Sequence, residues 1–234
     1  MVRAYWGETM SISDNVLTIK TQVDEAARRV NRDPASIKII AVTKYVDTAA
    51  MNAVIRAGIS DIGENRIQDA VVKFPLLQGN VTKHLIGSLQ TNKVKAALAE
   101  FDLIHSVDRP ELVRELAKQA EKLGKTVRFL IQLNISGEVT KHGLEPAGLS
   151  ELLKVVRDYR QLIPCGLMTI APLTENAAAA RPVFRRLKEL FHEAAIDFNL
   201  GPNWHYLSMG MSQDFEVAIE EGANLVRIGS AIFR

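Results

Sequence analysis

Residues 37–63, IKIIAVTKYVDTAAMNAVIRAGISDIG, decide the fold. Residues 37–42, IKIIAV, form a run that is apolar but for Lys38 and rich in β-branched side chains. Such a run lacks the alternation of a half-exposed strand and predicts one buried on both faces, as in parallel sheets. Residues 47–57 read as a helix that stops at Gly58, and residues 59–63 as a second short strand. The stretch is therefore one strand–helix–strand unit. It contains no Gly-rich turn of the kind that opens a dinucleotide-binding sheet.

The same rhythm continues outward. Strands are expected at 81–86, 101–107, 126–135, 162–168, 206–208 and 225–229, with 126–135 the longest. Helices are expected at 64–77, 88–100, from Pro110 to Gly124, 145–160, 178–197 and 212–221. Asp108 is the expected N-cap of the helix that Pro110 opens, and Pro182 falls in the first turn of the long one. Before the first strand, Ile12, Val16, Ile19, Val23 and Val30 recur at helical spacing. Eight strands, a helix after each of the first seven and one additional N-terminal helix predict an α/β fold. Its form is a (β/α)8 TIM barrel occupying residues 1–234 as a single domain. An open doubly wound sheet is the runner-up; the short regular spacing and the missing Gly-rich turn argue against it. Residues 1–10 read as poorly ordered or variable.

Composition narrows the function classes. The 234 residues include 29 basic and 27 acidic side chains, a net charge of +2 that gives no reason to expect nucleic acid or a membrane as partner. No secretory leader is read at the start, and no apolar run approaches the ~20 residues of a membrane helix. Cys165 is the one cysteine, so no intrachain disulfide can form. A reducing compartment, the cytoplasm, is the expected location. The histidines at 84, 105, 142, 192 and 205 form no metal-ligand spacing, and no metal is expected. His84 and His105 are expected as hydrogen-bonded side chains of the barrel interior, and Cys165 as a buried, inert thiol.

In such a barrel the chemistry sits at the C-terminal strand ends. Lys44 closes an otherwise apolar strand. An amine held in a barrel mouth is a Schiff-base nucleophile, whereas a solvated strand-end lysine is the simpler alternative. Ser208, Met209, Gly210, Met211 and Ser212 leave strand seven, and Gly229 and Ser230 leave strand eight. Those two loops are the recurrent phosphate site of barrels, though the serines could equally cap a helix. Arg227 lies within an apolar strand on the face of Gly229 and needs either an internal carboxylate or a ligand atom. An amine, a phosphate cradle and an arginine between them match the aldehyde, phosphate and ring nitrogen of pyridoxal 5′-phosphate.

Eight stretches carry a resemblance to a known family: AVTK ending at Lys44, GENRIQDA from Gly63, HLIGSLQTNK from His84, HSVDR from His105, QLNIS from Gln132, GLM from Gly166, LSMGMSQD from Leu207 and VRIGSAIF from Val226. Together they resemble the pyridoxal 5′-phosphate homeostasis proteins, also called the alanine-racemase N-terminal-domain-like or proline-synthase co-transcribed family. The resemblance implies a fold-type III barrel with pyridoxal phosphate on Lys44. It implies that Ser208, Met209, Gly229 and Ser230 hold the phosphate, that Arg227 meets the ring nitrogen, and that Asn65 lies beside the ring. Met168, at the end of strand six, joins the cofactor-binding set. Two positions depart from the commonest pattern, Ser88 and Tyr45. Strand alternation is expected to point Tyr45 away from Lys44.

The function implied is non-catalytic: a cytoplasmic, monomeric carrier in vitamin B6 homeostasis, with pyridoxal-phosphate-dependent apoenzymes as recipients. A racemase on the same barrel is the alternative, but residues 231–234 leave no room for the second domain and tyrosine it needs. A Schiff-base aldolase is a weaker one. Lys141, in the loop after strand five, could hand the cofactor on, although a solvated loop lysine is the plainer account.

Overall fold

Eight parallel strands pair in sequence order and close on themselves in the computed structural model, which describes residues 11–138, 141–172, 174 and 176–234. They are β1 (Lys38–Val42), β2 (Asp61–Glu64), β3 (Thr82–Leu85), β4 (Leu103–Val107), β5 (Val127–Gln132), β6 (Leu162–Met168), β7 (Tyr206–Met211) and β8 (Leu225–Ile228). Closure comes from β8 pairing with β1, where Ile40 stands opposite Arg227. The (β/α)8 barrel predicted from the sequence is the fold observed. Residues 1–10 lie outside the described residues.

The helices are α1 (Ile12–Arg29), α2 (Thr48–Arg56), α3 (Ile67–Lys73), α4 (Val94–Glu100), α5 (Pro110–Leu123), α6 (Leu149–Arg157), α7 (Arg181–Asp197), α8 (Phe215–Glu220) and a short α9 (Ser230–Phe233). Ser11 caps α1 in a reciprocal pair with Asp14. Asp108 does not cap α5 as expected; its carboxylate accepts from Arg109 instead. The fifth strand is shorter than expected: Leu133 still donates to the Met168 carbonyl but bridges Leu144, and the Asn134 side chain accepts from the Gly137 N–H in the turn that follows. Residues 230–233, unassigned from sequence, form α9, which Asn15 of α1 holds through the Ile232 carbonyl.

Strand side chains alternate between two environments. Ile62, Phe129 and Met209 face the layer shared with the helices, where the Phe184–Leu187–Leu190 stripe of α7 is buried. Ile40, Leu103, Leu130, Cys165, Met168 and Leu225 pack together as a separate cluster. Register shifts interrupt the alternation on three strands, one of them between Ile104 and Val107 of β4. On β6, Phe129 faces Pro164 and Leu130 faces Gly166, so Cys165 is an added residue. Gly166, at φ +145°, lies so close to β7 that a Cβ would sit 1.9 Å from the Tyr206 carbonyl oxygen. On β7, two residues separate Ser208 from Met211, against one between their β8 partners Leu225 and Arg227. Gly210 sits in that bulge at φ +91°, where a Cβ would stand 2.6 Å from Ala218.

Buried polar groups also occupy the barrel. Asp61, His84, His105, Ser208 and Arg227 are all buried. His84 links Asp61 to His105, each contact 3.0 Å, and His105 reaches Ser208 Oγ at 3.0 Å. Interior hydrogen-bonded places for both histidines are what the sequence led us to expect. Burial, reinforced by neighbouring His84 and Arg227, holds His105 well below its ordinary range.

Two outcomes follow. Phe184→Ala is expected to lower the unfolding free energy by about 3–5 kcal/mol in chemical denaturation, since the ring is fully buried. The pH dependence has a definite sign. The unfolded chain protonates His105 near pH 6.5, whereas the folded chain does so only at lower pH. This contribution to stability is therefore full above about pH 6.5 and falls on acidification, by up to about 1.4 kcal/mol per pH unit. Denaturation at a series of pH values should show His105→Gln flattening the slope by about one proton.

Candidate functional site

A cavity of about 450 Å³ opens at the C-terminal ends of the strands. Among the described residues, its lining includes Val42, Lys44 and Tyr45 on one side and Met211, Ser212, Arg227, Gly229 and Ser230 on the other. It falls in the usual range for small-ligand sites, ~300–1,000 Å³.

Lys44 stands in a turn rather than on the strand, because β1 ends at Val42. The residue before it is anchored. Thr43 Oγ1 donates to Glu64 Oε1 at 2.8 Å, and Lys73 Nζ donates to the same oxygen at 2.9 Å and to the Thr43 carbonyl at 3.0 Å. Glu64 is fully buried, and its Oε2 has no hydrogen-bond partner among the described residues. A fixed carboxylate under the turn limits the freedom of the backbone that carries Lys44. The early end of β1 also overturns the expectation for Tyr45. Alternation stops before it, so its ring lines the cavity with its centroid 4.9 Å from Lys44 Nζ, while remaining 84% exposed.

The opposite wall joins two loops. Ser212 Oγ accepts from the Gly229 N–H at 3.2 Å and the Ala231 N–H at 3.4 Å, tying the end of β7 to the start of α9. The helix after β7 begins at Phe215, not at Ser212 as expected, which leaves Ser212 free for this link. Asp214 Oδ1 accepts from the Met211 N–H at 2.6 Å. Burial keeps Asp214 above the ordinary carboxylate range, against the pull of Met211 and Arg227.

Arg227 reaches the cavity from the barrel interior. Its Nη1 donates to Ser208 Oγ at 2.6 Å and its Nη2 to the Thr169 carbonyl at 2.8 Å. Burial lowers its pKa to about 10, opposed by the charge of Asp214, so the guanidinium stays cationic at neutral pH.

The cavity thus brings together Lys44, Arg227, Gly229 and Ser230 of the residues expected from sequence. The other four do not line it. Ser208 is buried with its hydroxyl committed to Arg227 and His105, and Met209 packs in the layer between barrel and helices. The β7 bulge carries Met211 and Ser212 into the wall instead. Met168 packs with Ile40 and Leu225. Asn65 is half-buried, its backbone pressed against Gly87. Lys141 pairs with Glu138 at 3.1 Å, away from the cavity wall. Thr43, Glu64 and Lys73 were not anticipated, nor was the support of Arg227 by Ser208. Only the placement of Glu64 at a strand end hinted at the first group.

The chain is similar over nearly its whole length to known proteins. Residues 15–234 match the family model of the alanine racemase N-terminal domain. The pyridoxal phosphate homeostasis protein of Aquifex aeolicus is 39% identical over 225 residues, covering 96% of this chain and 98% of that protein. The pyridoxal phosphate homeostasis protein of Pseudomonas aeruginosa is 38% identical over 95% of each chain. PipY of Synechococcus elongatus, solved with PLP bound, superposes with a TM-score of 0.84 at 32% identity, covering 96% of this chain and all of PipY. An alanine racemase of Clostridium difficile, at 12% identity and a TM-score of 0.68, shares the fold alone; this chain covers 55% of it. The chain belongs to the alanine racemase N-terminal-domain family, among its pyridoxal phosphate homeostasis proteins.

Proposed function

We propose that this protein binds pyridoxal 5′-phosphate and serves its homeostasis as a carrier without catalytic turnover. The observation that carries this is the convergence of the Lys44 amine, the Arg227 guanidinium and the Gly229–Ser230 backbone on one cavity. Those groups fit the cofactor: an amine for its aldehyde, a cation with unused N–H groups for its ring nitrogen, and small residues with amides and hydroxyls for its phosphate. Bound pyridoxal phosphate supplies an electrophilic aldehyde and an electron-withdrawing ring.

The protein's own residues do the rest. Lys44 holds the cofactor through its amine. Gly229 and Ser230, tied to Ser212, form the phosphate wall. Arg227 would donate to the ring nitrogen and, cationic at neutral pH, would disfavour its protonation. That would weaken the ring as an electron sink and make strong carbanion chemistry on it less favourable. Ser208 contributes through Arg227, whose guanidinium it accepts. Asn65, Met168 and Met209 complete the surroundings without lining the cavity. Recipients are pyridoxal-phosphate-dependent apoenzymes, the carrier acts as a monomer, and its place is the cytoplasm. No helix among the described residues is long and apolar enough to cross a membrane.

The purified protein is expected to be yellow after incubation with pyridoxal phosphate, and borohydride should fix the cofactor on Lys44. Lys44→Ala should lose the colour on dialysis; a wild type that stays colourless would overturn the assignment. Incubation with each common amino acid should give no racemisation above that of free cofactor. Rapid turnover of any one would identify an enzyme instead.

A further inference from the structure

The hydrogen bonds inside the barrel form one continuous line from the cavity to the opposite rim. Arg227 Nη1 meets Ser208 Oγ at 2.6 Å, and Ser208 Oγ lies 3.0 Å from His105 Nδ1. His105 Nε2 lies 3.0 Å from His84 Nδ1, and His84 Nε2 lies 3.0 Å from Asp61 Oδ1. Asp61 is the first residue of β2, at the N-terminal end of the barrel, with Lys38 Nζ 3.5 Å away. Every member from Asp61 to Arg227 is at most 7% exposed.

One direction of donation satisfies the whole line. A guanidinium has only donors, so Ser208 Oγ accepts from it, and the hydroxyl hydrogen goes to His105 Nδ1. His105 then carries its proton on Nε2 and donates to His84 Nδ1. His84 in turn donates through Nε2 to the Asp61 carboxylate. In the reverse direction Arg227 and His105 would both donate to Ser208, whose own hydrogen would have no acceptor among the described residues. A cation closes one end, an anion the other, and the dipoles between them align. The line does not deliver protons to the cavity, because it ends on a guanidinium that remains charged at neutral pH.

We propose that Asp61, His84 and His105 are positioning residues for the cofactor. They fix Ser208 as an acceptor, and Ser208 with the Thr169 carbonyl locks the Arg227 guanidinium so that its remaining N–H groups face the ring nitrogen. This rests on the proposed cofactor site and extends it to the far rim of the barrel. Burial pushes the Asp61 carboxyl up, but the His84 hydrogen bond and nearby Lys38 outweigh it and leave the group below its ordinary range. The anionic end of the line is therefore kept.

The test uses the whole chain with and without pyridoxal phosphate. In cofactor-free wild type, nitrogen-15 spectra of the imidazoles should show His84 and His105 each carrying its proton on Nε2, with Nδ1 as the acceptor. A proton on Nδ1 of either ring, or a charged ring, overturns the proposal alone and leaves the cofactor site standing. In the loaded protein, Asp61→Ala should shift the visible band of the bound cofactor. It should also speed dissociation on the order of tenfold, comparable to losing one charge-assisted hydrogen bond. Asp61→Asn, which retains an acceptor for His84, should lie nearer wild type, and it replaces Asp61→Ala if that variant does not fold. Bands and dissociation rates unchanged in the folded variants overturn the proposal. A wild type that takes up no cofactor removes the functional assignment and the proposal together.

Discussion

A positive charge buried inside a β-barrel is the constraint around which this molecule is arranged. Arg227 is 4% exposed, and an isolated charge there would be prohibitive. Ser208, the Thr169 carbonyl and the field of Asp214 offset the cost locally, while the histidine line joins the guanidinium to a carboxylate at the other rim. These partners come from β2, β3, β4, β7 and the residue just after β6. The charge is tolerable only when those strands hold the observed register. Removing one partner leaves the others buried and unpaired, the costly case for ionic interiors.

The second fixed point is the turn that bears Lys44. Glu64 gathers Thr43 and Lys73 beneath it, and one of its two carboxylate oxygens remains unmatched among the described residues. The two anchored elements belong to neighbouring strands, since β8 pairs with β1. One presents an amine from a turn at the end of β1, the other a guanidinium from within β8. Their relative placement is thus set by the pairing of β1 with β8 rather than by a long loop.

The fold was legible in the sequence because buried parallel strands are largely apolar runs and each of the first seven was followed by a helix. Lys44, Arg227, Gly229 and Ser230 were legible because strand ends of such a barrel face one site. The remainder depended on irregularities that periodicity does not encode. The β7 bulge at Gly210 moved the wall from Ser208 and Met209 to Met211 and Ser212. The end of β1 at Val42 brought Tyr45 beside Lys44. His84 and His105 could be assigned to the interior one at a time, but their alignment with Asp61 arises from register across three strands.

Closure of β8 on β1 has a consequence for how the site comes into being. Lys44 follows the first strand and Arg227 lies on the last, so the parts of the cavity are made at opposite ends of synthesis. Local strand–helix–strand units can form as the chain emerges, but pairing of the two terminal strands is the most non-local contact in the barrel. A growing chain therefore presents Lys44 long before Arg227, Gly229 and Ser230 exist to join it. Their convergence on one cavity is the mark of a finished barrel.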